Sequence, residues 1–207
     1  MVKLGVLCSG RGTDLQSIID AIESGWLAAQ ISIVLTDKPN VGALARAEKA
    51  GIKNICVDRK KFADRADFEA ELLRHLKGVD LVILAGFMRI LSADFVRCYE
   101  GRLMNIHPSL LPAFPGAHAH RDVLAYGAKV SGCTVHFVDE GTDSGPIIMQ
   151  AAVEVLEDDT EETLAARVLE QEHKIYPQAI KMFIEGRLKI VGRKVEIGGG
   201  KMKIKRA

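Results

Sequence analysis

Three polar side chains near the middle of this chain have the types and the spacing needed for acyl transfer. Asn105 and His107 stand one residue apart at the end of a short apolar run, and Asp143 lies in the turn-like sequence 139–145. Alternate side chains of a strand point to one face, so the amide and the imidazole should lie side by side. An amide can hold an oxyanion, and a carboxylate favours the charged form of a neighbouring imidazole. This set suits transfer of an acyl group to an amine without a covalent nucleophile.

Each of these residues also has a purely structural interpretation. Asn105 could cap a turn, His107 could be a hydrogen-bonded loop histidine, and Asp143 could form an Asx-turn beside Gly145. For any one of them taken singly we favour the structural interpretation, because sites and not isolated residues carry function.

A loop of small residues after the first apolar run predicts an anion site. Residues 9–16 read Ser-Gly-Arg-Gly-Thr-Asp-Leu-Gln and lead into a predicted helix, where backbone N–H groups can approach an anion closely. Leu15 stands where a dinucleotide-binding fingerprint needs its third glycine, and the Gly-Lys-Ser/Thr ending of a Walker loop is missing. A plain tight turn is the alternative.

The first half of the chain alternates between predicted strands and helices. The strands are predicted over 2–8, 31–35, 54–57 and 81–84, and the helices over 13–23, 42–50 and 65–76. Continuously apolar strands with helical connections indicate a parallel sheet that is covered on both faces.

The second half is less regular. We predict a strand over 103–106, a short helix over 121–126, an antiparallel pair over 133–138 and 147–155, and a helix over 160–184 that Thr160 caps. The predicted fold class is therefore α/β: a single domain with a mostly parallel twisted sheet, helices on both faces, and an antiparallel strand in the C-terminal half.

Composition limits the possible partners. The 207 residues are 48% apolar with a formal net charge of +1, which predicts a packed core and no general attraction to nucleic acid or membrane. Residues 191–207 carry six basic residues and one acidic residue, so we divide the chain into a domain at 1–190 and a basic tail at 191–207. The absence of a signal peptide, of a membrane-length apolar run and of paired cysteines predicts a cytoplasmic protein.

The histidines raise the question of a metal. His118 and His120 stand two apart, and His107 or His136 could join them, but no cysteine or carboxylate near them has metal-site spacing. We predict no metal, although His118 could border a substrate.

Four motifs closely resemble those of the 10-formyltetrahydrofolate-dependent glycinamide ribonucleotide formyltransferases of purine synthesis. They are Leu84-Ala-Gly-Phe-Met-Arg-Ile-Leu91, Asn105-Ile-His-Pro-Ser-Leu-Leu-Pro112, Phe114-Pro-Gly116 and the segment from Asp139 to Pro146. The resemblance runs from about residue 3 to about residue 188, and the second motif is very specific to the wider formyltetrahydrofolate-using superfamily.

The resemblance implies a role for particular residues. Asn105, His107 and Asp143 would be catalytic, and Glu172 would bind the ribose hydroxyls of the ribonucleotide. Its 5′-phosphate would be bound by Gly12, Thr13 and Asp14. The folate would be contacted by Arg65, Met88, Arg89, Ile90, Leu91 and Asn105. Asp14 departs from the more common asparagine, and we expect it to cap the helix while the backbone binds phosphate.

The resemblance also implies two small-molecule substrates and no required metal. We expect a monomer or weak homodimer. Formyltetrahydrofolate deformylase is the nearest alternative, but it would ordinarily carry an N-terminal regulatory domain before the first strand. Methionyl-tRNA formyltransferase would need a C-terminal tRNA-binding domain. A non-catalytic nucleotide- or folate-binding module would leave Asn105, His107 and Asp143 without a joint purpose.

Overall fold

Strands and helices alternate through the first of two units, Met1–Met104, as the apolar runs predicted. The computed structural model describes residues 1–199. The strands of this unit are β1 (Val2–Cys8), β2 (Ala29–Thr36), β3 (Asn54–Cys56) and β4 (Leu81–Leu84). Its helices are α1 (Thr13–Glu23), α2 (Gly42–Lys49), α3 (Arg65–His75) and α4 (Ala93–Cys98), with a 3₁₀ turn at Arg59–Lys61.

The strands of the first unit pair in parallel throughout. β1 lies between β2 and β4, and β2 also pairs with β3. Leu4, Val6 and Leu7 of β1 are fully buried, and α1 buries Leu15 and Ile18. Each such side chain contributes roughly 1.5–3 kcal/mol of transfer free energy, which holds the ends of these strands and the loops that follow them in place.

The second unit begins at Asn105 and contains the predicted antiparallel pair, β6 (Val130–Phe137) and β7 (Ile147–Glu154). β5 (Leu103–His107) ends in this unit. Its helices are α5 (Ala119–Tyr126) and α6 (Glu161–Ile184). Thr160 caps α6 as predicted: its hydroxyl accepts from Thr163 N at 3.3 Å, and Thr160 N donates to the Thr163 hydroxyl at 2.9 Å.

Besides the 3₁₀ turn, two features of the structure were missing from the sequence-based prediction. One is α4, a six-residue helix whose N-cap is Ser92. The other is a hairpin of β8 (Leu188–Val191) and β9 (Lys194–Ile197), in which β9 also pairs in parallel with β7. The hairpin crosses residue 190, so residues 191–197 contain a strand and not only the expected tail. The rest of that tail, 200–207, lies outside the described residues.

Hydropathy of the helices gives one further result. Within residues 1–199, no helix is both long enough and apolar enough to cross a membrane.

Candidate active site

Asn105, His107 and Asp143 meet in the second unit. His107 Nδ1 lies 3.3 Å from Asp143 Oδ2, and Asn105 Nδ2 lies 3.5 Å from Asp143 Oδ1. β5 brings the amide and the imidazole to one side of the backbone, since they are two positions apart on an extended strand. Asp143 therefore joins the two side chains, one through each carboxylate oxygen.

The turn that carries Asp143 is held by its own hydrogen bonds. Asp139 accepts from Ser144 Oγ at 2.6 Å and from Gly141 N at 3.1 Å. Asp143 has φ 51, in the left-handed region that aspartate and asparagine tolerate better than most residues. A side chain at Gly145 would overlap the carbonyl oxygen of Phe137, so glycine is required there. These constraints fix the direction of the Asp143 carboxylate.

Both ring nitrogens of His107 face acceptors. Nε2 lies 2.9 Å from the carbonyl oxygen of Phe114, and Nδ1 faces the Asp143 carboxylate. A carbonyl and a carboxylate only accept, so an N–H group suits both positions of the ring. The side chain is 5% exposed, and the neighbouring carboxylate would balance a positive charge on the buried ring. Gly116 N also donates to Asp143 Oδ2, at 2.8 Å.

The loop after His107 is fixed by a buried polar network. Thr134 Oγ1 donates to Ser109 O at 2.7 Å and accepts from Leu111 N at 3.0 Å. Gln150 Nε2 donates to Leu111 O at 2.9 Å, and the Leu111–Pro112 peptide bond is cis. Because the partners come from β6 and β7, no local sequence pattern could have predicted this network.

His136 is a fourth side chain of the cluster, and the sequence had suggested it only as a possible metal ligand. Its Nε2 lies 3.3 Å from Asn105 Nδ2 and 3.8 Å from Asp143 Oδ1. Burial lowers the pKa of His136, and the hydrogen bond to Phe137 O and the charge of Asp143 oppose that shift only in part. Its position two residues after Thr134, on the same face of β6, was the signal available in the sequence.

The predicted anion loop lies in the first unit, between β1 and α1. Gly12 is the N-cap of α1 with φ 72, and a Cβ there would lie 2.8 Å from both Cα and Cβ of Ala43. Gly10 O accepts from Ala43 N at 3.1 Å, and Arg46 Nε donates to Arg11 O at 2.9 Å. The loop is therefore built against α2, with its conformation set by a glycine that no other residue can replace without strain.

Asp14 does not cap α1, so that expectation was wrong. The N-cap is Gly12, and Asp14 lies in the first helical turn with its side chain buried. The glycine takes the cap because only it accepts the left-handed conformation beside Ala43. Burial raises the pKa of Asp14 from 3.8 to about 6.

The raised pKa of Asp14 predicts a pH-dependent stability. The folded state binds this proton more tightly than the unfolded chain, so the contribution of Asp14 to the free energy of unfolding falls as pH rises from about 4 to about 6. Asp14→Asn should remove this fall. Between pH 4 and pH 7 the wild-type protein should therefore lose up to about 3 kcal/mol of unfolding free energy relative to the variant. Denaturant titrations across this range test it, with Asp20→Asn, exposed on the same helix, as the control. Parallel curves for Asp14→Asn and wild type would contradict the prediction.

The segment that the resemblance assigns to folate follows β4. Met88 and Ile90 are 67% and 71% exposed, unusual values for large apolar side chains. Its backbone is anchored on both sides: Met88 N donates to Ser9 Oγ at 2.9 Å, and Ser92 N donates to the buried Glu69 at 2.8 Å. Arg89 Nε lies 2.6 Å from Asp37 Oδ2, and the exposed Arg65 lies 3.8 Å from Glu69. Leu91 is half-buried. The segment thus presents apolar side chains on a fixed backbone.

The remaining predicted residues lie on the helices of the second unit. Glu172 of α6 is buried and therefore differs from an ordinary exposed helix glutamate. His118 is the exposed residue before α5. Among the 199 described residues, no group of three or more His, Cys, Asp or Glu side chains is arranged to hold a metal ion.

Comparison with known proteins gives consistent relatives. Residues 2–180 match the family described as formyl transferase. Phosphoribosylglycinamide formyltransferase of Escherichia coli K12 is 46% identical over 191 residues, which are 91% of this chain and 90% of that protein. A trifunctional purine biosynthetic protein, adenosine-3 of Drosophila melanogaster, is 50% identical over 188 residues. The match covers 89% of this chain, and this chain spans only 14% of the length of that relative.

Solved structures agree. Glycinamide ribonucleotide transformylase 1 of Symbiobacterium toebii has a TM-score of 0.94 and 49% identity, covering 96% of this chain and 95% of its own. A formyltetrahydrofolate deformylase of Pseudomonas syringae has a TM-score of 0.89 but 26% identity, and the match covers 66% of its chain. The predicted α/β fold class is confirmed.

Proposed function

The chain belongs to the formyl transferase family, and on that premise we propose that it transfers the formyl group of 10-formyltetrahydrofolate to the amine of glycinamide ribonucleotide. The products would be formylglycinamide ribonucleotide and tetrahydrofolate, in the synthesis of purines. The observation that carries the proposal is the position of His107 between Asp143 and the Phe114 carbonyl, with Asn105 beside it.

The cluster has the groups that this reaction needs. The amine attacks the formyl carbon, and the carbonyl oxygen becomes an oxyanion. His107 is a charged donor, and an oxyanion is a stronger acceptor than the neutral Phe114 carbonyl that His107 Nε2 contacts in the structure. The oxyanion therefore replaces that carbonyl as the partner of Nε2. The second Asn105 N–H, held only by the long 3.5 Å contact to Asp143, is the other donor.

Collapse of the tetrahedral intermediate completes the reaction. The bond between the formyl carbon and N10 of the folate breaks, and the proton lost by the amine moves to N10 through water. Asp143 keeps His107 charged and oriented throughout. Since no covalent nucleophile takes part, orientation of the two substrates supplies much of the rate, and such orientation can be worth about 7–11 kcal/mol.

We assign the other predicted residues to binding. The loop residues Gly12, Thr13 and Asp14 bind the 5′-phosphate, chiefly through backbone N–H groups at the start of α1. Glu172 binds the ribose hydroxyls. Arg65 and the segment of Met88, Arg89, Ile90 and Leu91 bind the folate, whose pterin would cover the exposed Met88 and Ile90.

Deformylation is the main alternative, with water as the acceptor in place of the amine. The same three polar groups could serve it, but identity is 26% to the deformylase against 46% to the E. coli formyltransferase. The test is a formyl-transfer assay with glycinamide ribonucleotide, water and charged initiator tRNA as competing acceptors. The proposal expects transfer to the ribonucleotide to exceed the others, and folate release independent of the ribonucleotide would overturn it.

Two glycines of the anion loop provide a matched pair of variants. Gly12→Ala should raise KM for glycinamide ribonucleotide at least about tenfold, because a Cβ at φ 72 meets Ala43 and displaces the backbone that binds phosphate. Gly10→Ala should leave KM close to that of the wild type, since a Cβ there meets nothing within 4 Å. KM values for both substrates decide between the cases. Equal effects of the two variants, or an equal rise in KM for the folate, would contradict the assignment.

Several features remain predictions of this proposal: a cytoplasmic location, a monomer or weak homodimer, no metal in the chemistry and no nucleic-acid partner.

A further inference from the structure

We propose that His136 is a positioning residue that holds the Asn105 amide through a neutral imidazole acting as hydrogen-bond acceptor. The proposal rests on the function proposed above and deepens it. It assigns a role to a side chain that the mechanism does not otherwise use, although it lies within hydrogen-bond distance of Asn105.

The protons of His136 can be placed from its contacts. Nδ1 lies 2.8 Å from the carbonyl oxygen of Phe137, which can only accept, so Nδ1 carries the hydrogen. The side chain is 2% exposed, and burial disfavours the charged ring. A neutral ring protonated on Nδ1 leaves a lone pair on Nε2, and that lone pair faces Asn105 Nδ2 at 3.3 Å.

Two acceptors then determine the orientation of the Asn105 amide. His136 Nε2 and Asp143 Oδ1 lie on the same side of Asn105, 3.3 Å and 3.5 Å from its nitrogen. The opposite amide orientation would point the carbonyl oxygen at a lone pair and a carboxylate, with no donor for it. His136 thus keeps the NH₂ group toward Asp143, where the mechanism needs an N–H for the oxyanion.

The sheet directs His136 toward this cluster. The pairing register of β6 and β7 shifts between Val135 and His136, where β7 carries an additional residue. Alternation along β6 places His136 on the same face as Thr134, and bulges such as the one opposite it in β7 occur often next to active sites. The charged and titratable groups around the ring are Asp143, His107 and Asp139.

Two amide variants separate the two nitrogens of His136. In His136→Gln the amide reaches the place of Nε2 and can accept from Asn105, so kcat should stay within about threefold of wild type. In His136→Asn the shorter amide can still donate to Phe137 O but has no acceptor for Asn105. Its kcat should fall about tenfold or more, a fraction of the roughly 10²–10³-fold loss that follows removal of an oxyanion-hole donor.

A double-mutant cycle with Asn105→Ala distinguishes positioning from general structural support. If His136 acts through Asn105, His136→Asn should change kcat by less than about twofold once Asn105 is already alanine. A loss as large as in the wild-type background, or equal losses in the Gln and Asn variants, would overturn the proposal.

Nitrogen-15 NMR of labelled histidine tests the protonation state independently of activity. The expected signal at pH 7 is a neutral His136 ring protonated on Nδ1. An imidazolium, or a ring protonated on Nε2, would overturn the proposal even if His136→Asn failed to fold. Absence of formyl transfer by the wild-type protein would instead refute the proposed function and leave this result valid.

Discussion

Replacement of His107 by alanine should lower kcat by at least about a hundredfold, with smaller changes in KM. In the proposed mechanism the change removes the charged donor to the oxyanion, and charged or preorganised donors at an oxyanion contribute about this much. It also leaves the Asp143 carboxylate without the imidazolium that faces it at 3.3 Å. Steady-state kinetics with both substrates varied gives kcat and the two KM values separately.

The control for this prediction is His75→Ala. His75 lies on α3 and pairs with Glu71 at the helix surface, 2.9 Å away, so its loss tests the effect of removing a histidine elsewhere. Because His107 is buried, thermal unfolding of both variants is needed to show that the fold survives. Near-wild-type turnover by a folded His107→Ala would remove the imidazole from the mechanism.

The strands and helices of the first unit could be predicted because their pattern is local. Val2–Cys8 and Thr13–Glu23 were predicted to the residue, since a continuous apolar run and a 3.6-residue periodicity each identify one kind of element. The elements that were missed are short or exposed. α4 has six residues, and the hairpin carries exposed Ile190, Val191 and Ile197, so neither shows the periodicity of a buried element.

The site could be predicted only in part. Asn105 and His107 were predicted to share a face because their separation along one strand determines it, and Asp143 was placed by its motif. The hydrogen-bond partners were not accessible in the same way. His107 Nε2 contacts Phe114 O, and Asn105 contacts His136 on another strand. The first contact depends on a loop conformation and the second on the packing of separate strands, so neither follows from local sequence. The prediction that Asp14 caps α1 was wrong for a similar reason. The N-cap position lies against Ala43 of another helix, and only glycine fits there.

Replacement of Asp143 by asparagine should also lower kcat by at least about a hundredfold while the turn keeps its shape. Asparagine tolerates the left-handed φ of 51 as well as aspartate does, and its amide oxygen can still accept from Gly116 N. What is lost is the negative charge beside His107 Nδ1, so the doubly protonated ring is no longer favoured. The amide nitrogen that then takes the place of Oδ1 cannot accept from Asn105 Nδ2, so the variant keeps the turn but removes both the charge and this 3.5 Å contact.

Asp139→Asn provides the matched comparison on the same turn. Asp139 binds Ser144 Oγ and Gly141 N, 2.6 Å and 3.1 Å away, and so supports the turn without contacting His107. If Asp143 acts by keeping the imidazole charged, Asp143→Asn should lose far more kcat than Asp139→Asn, although it disturbs the turn less. Similar losses in the two variants would mean that Asp143 serves the turn alone. A charged His107 would then be excluded, because the other partner of the ring, the Phe114 carbonyl, is a neutral acceptor and cannot balance a buried positive charge.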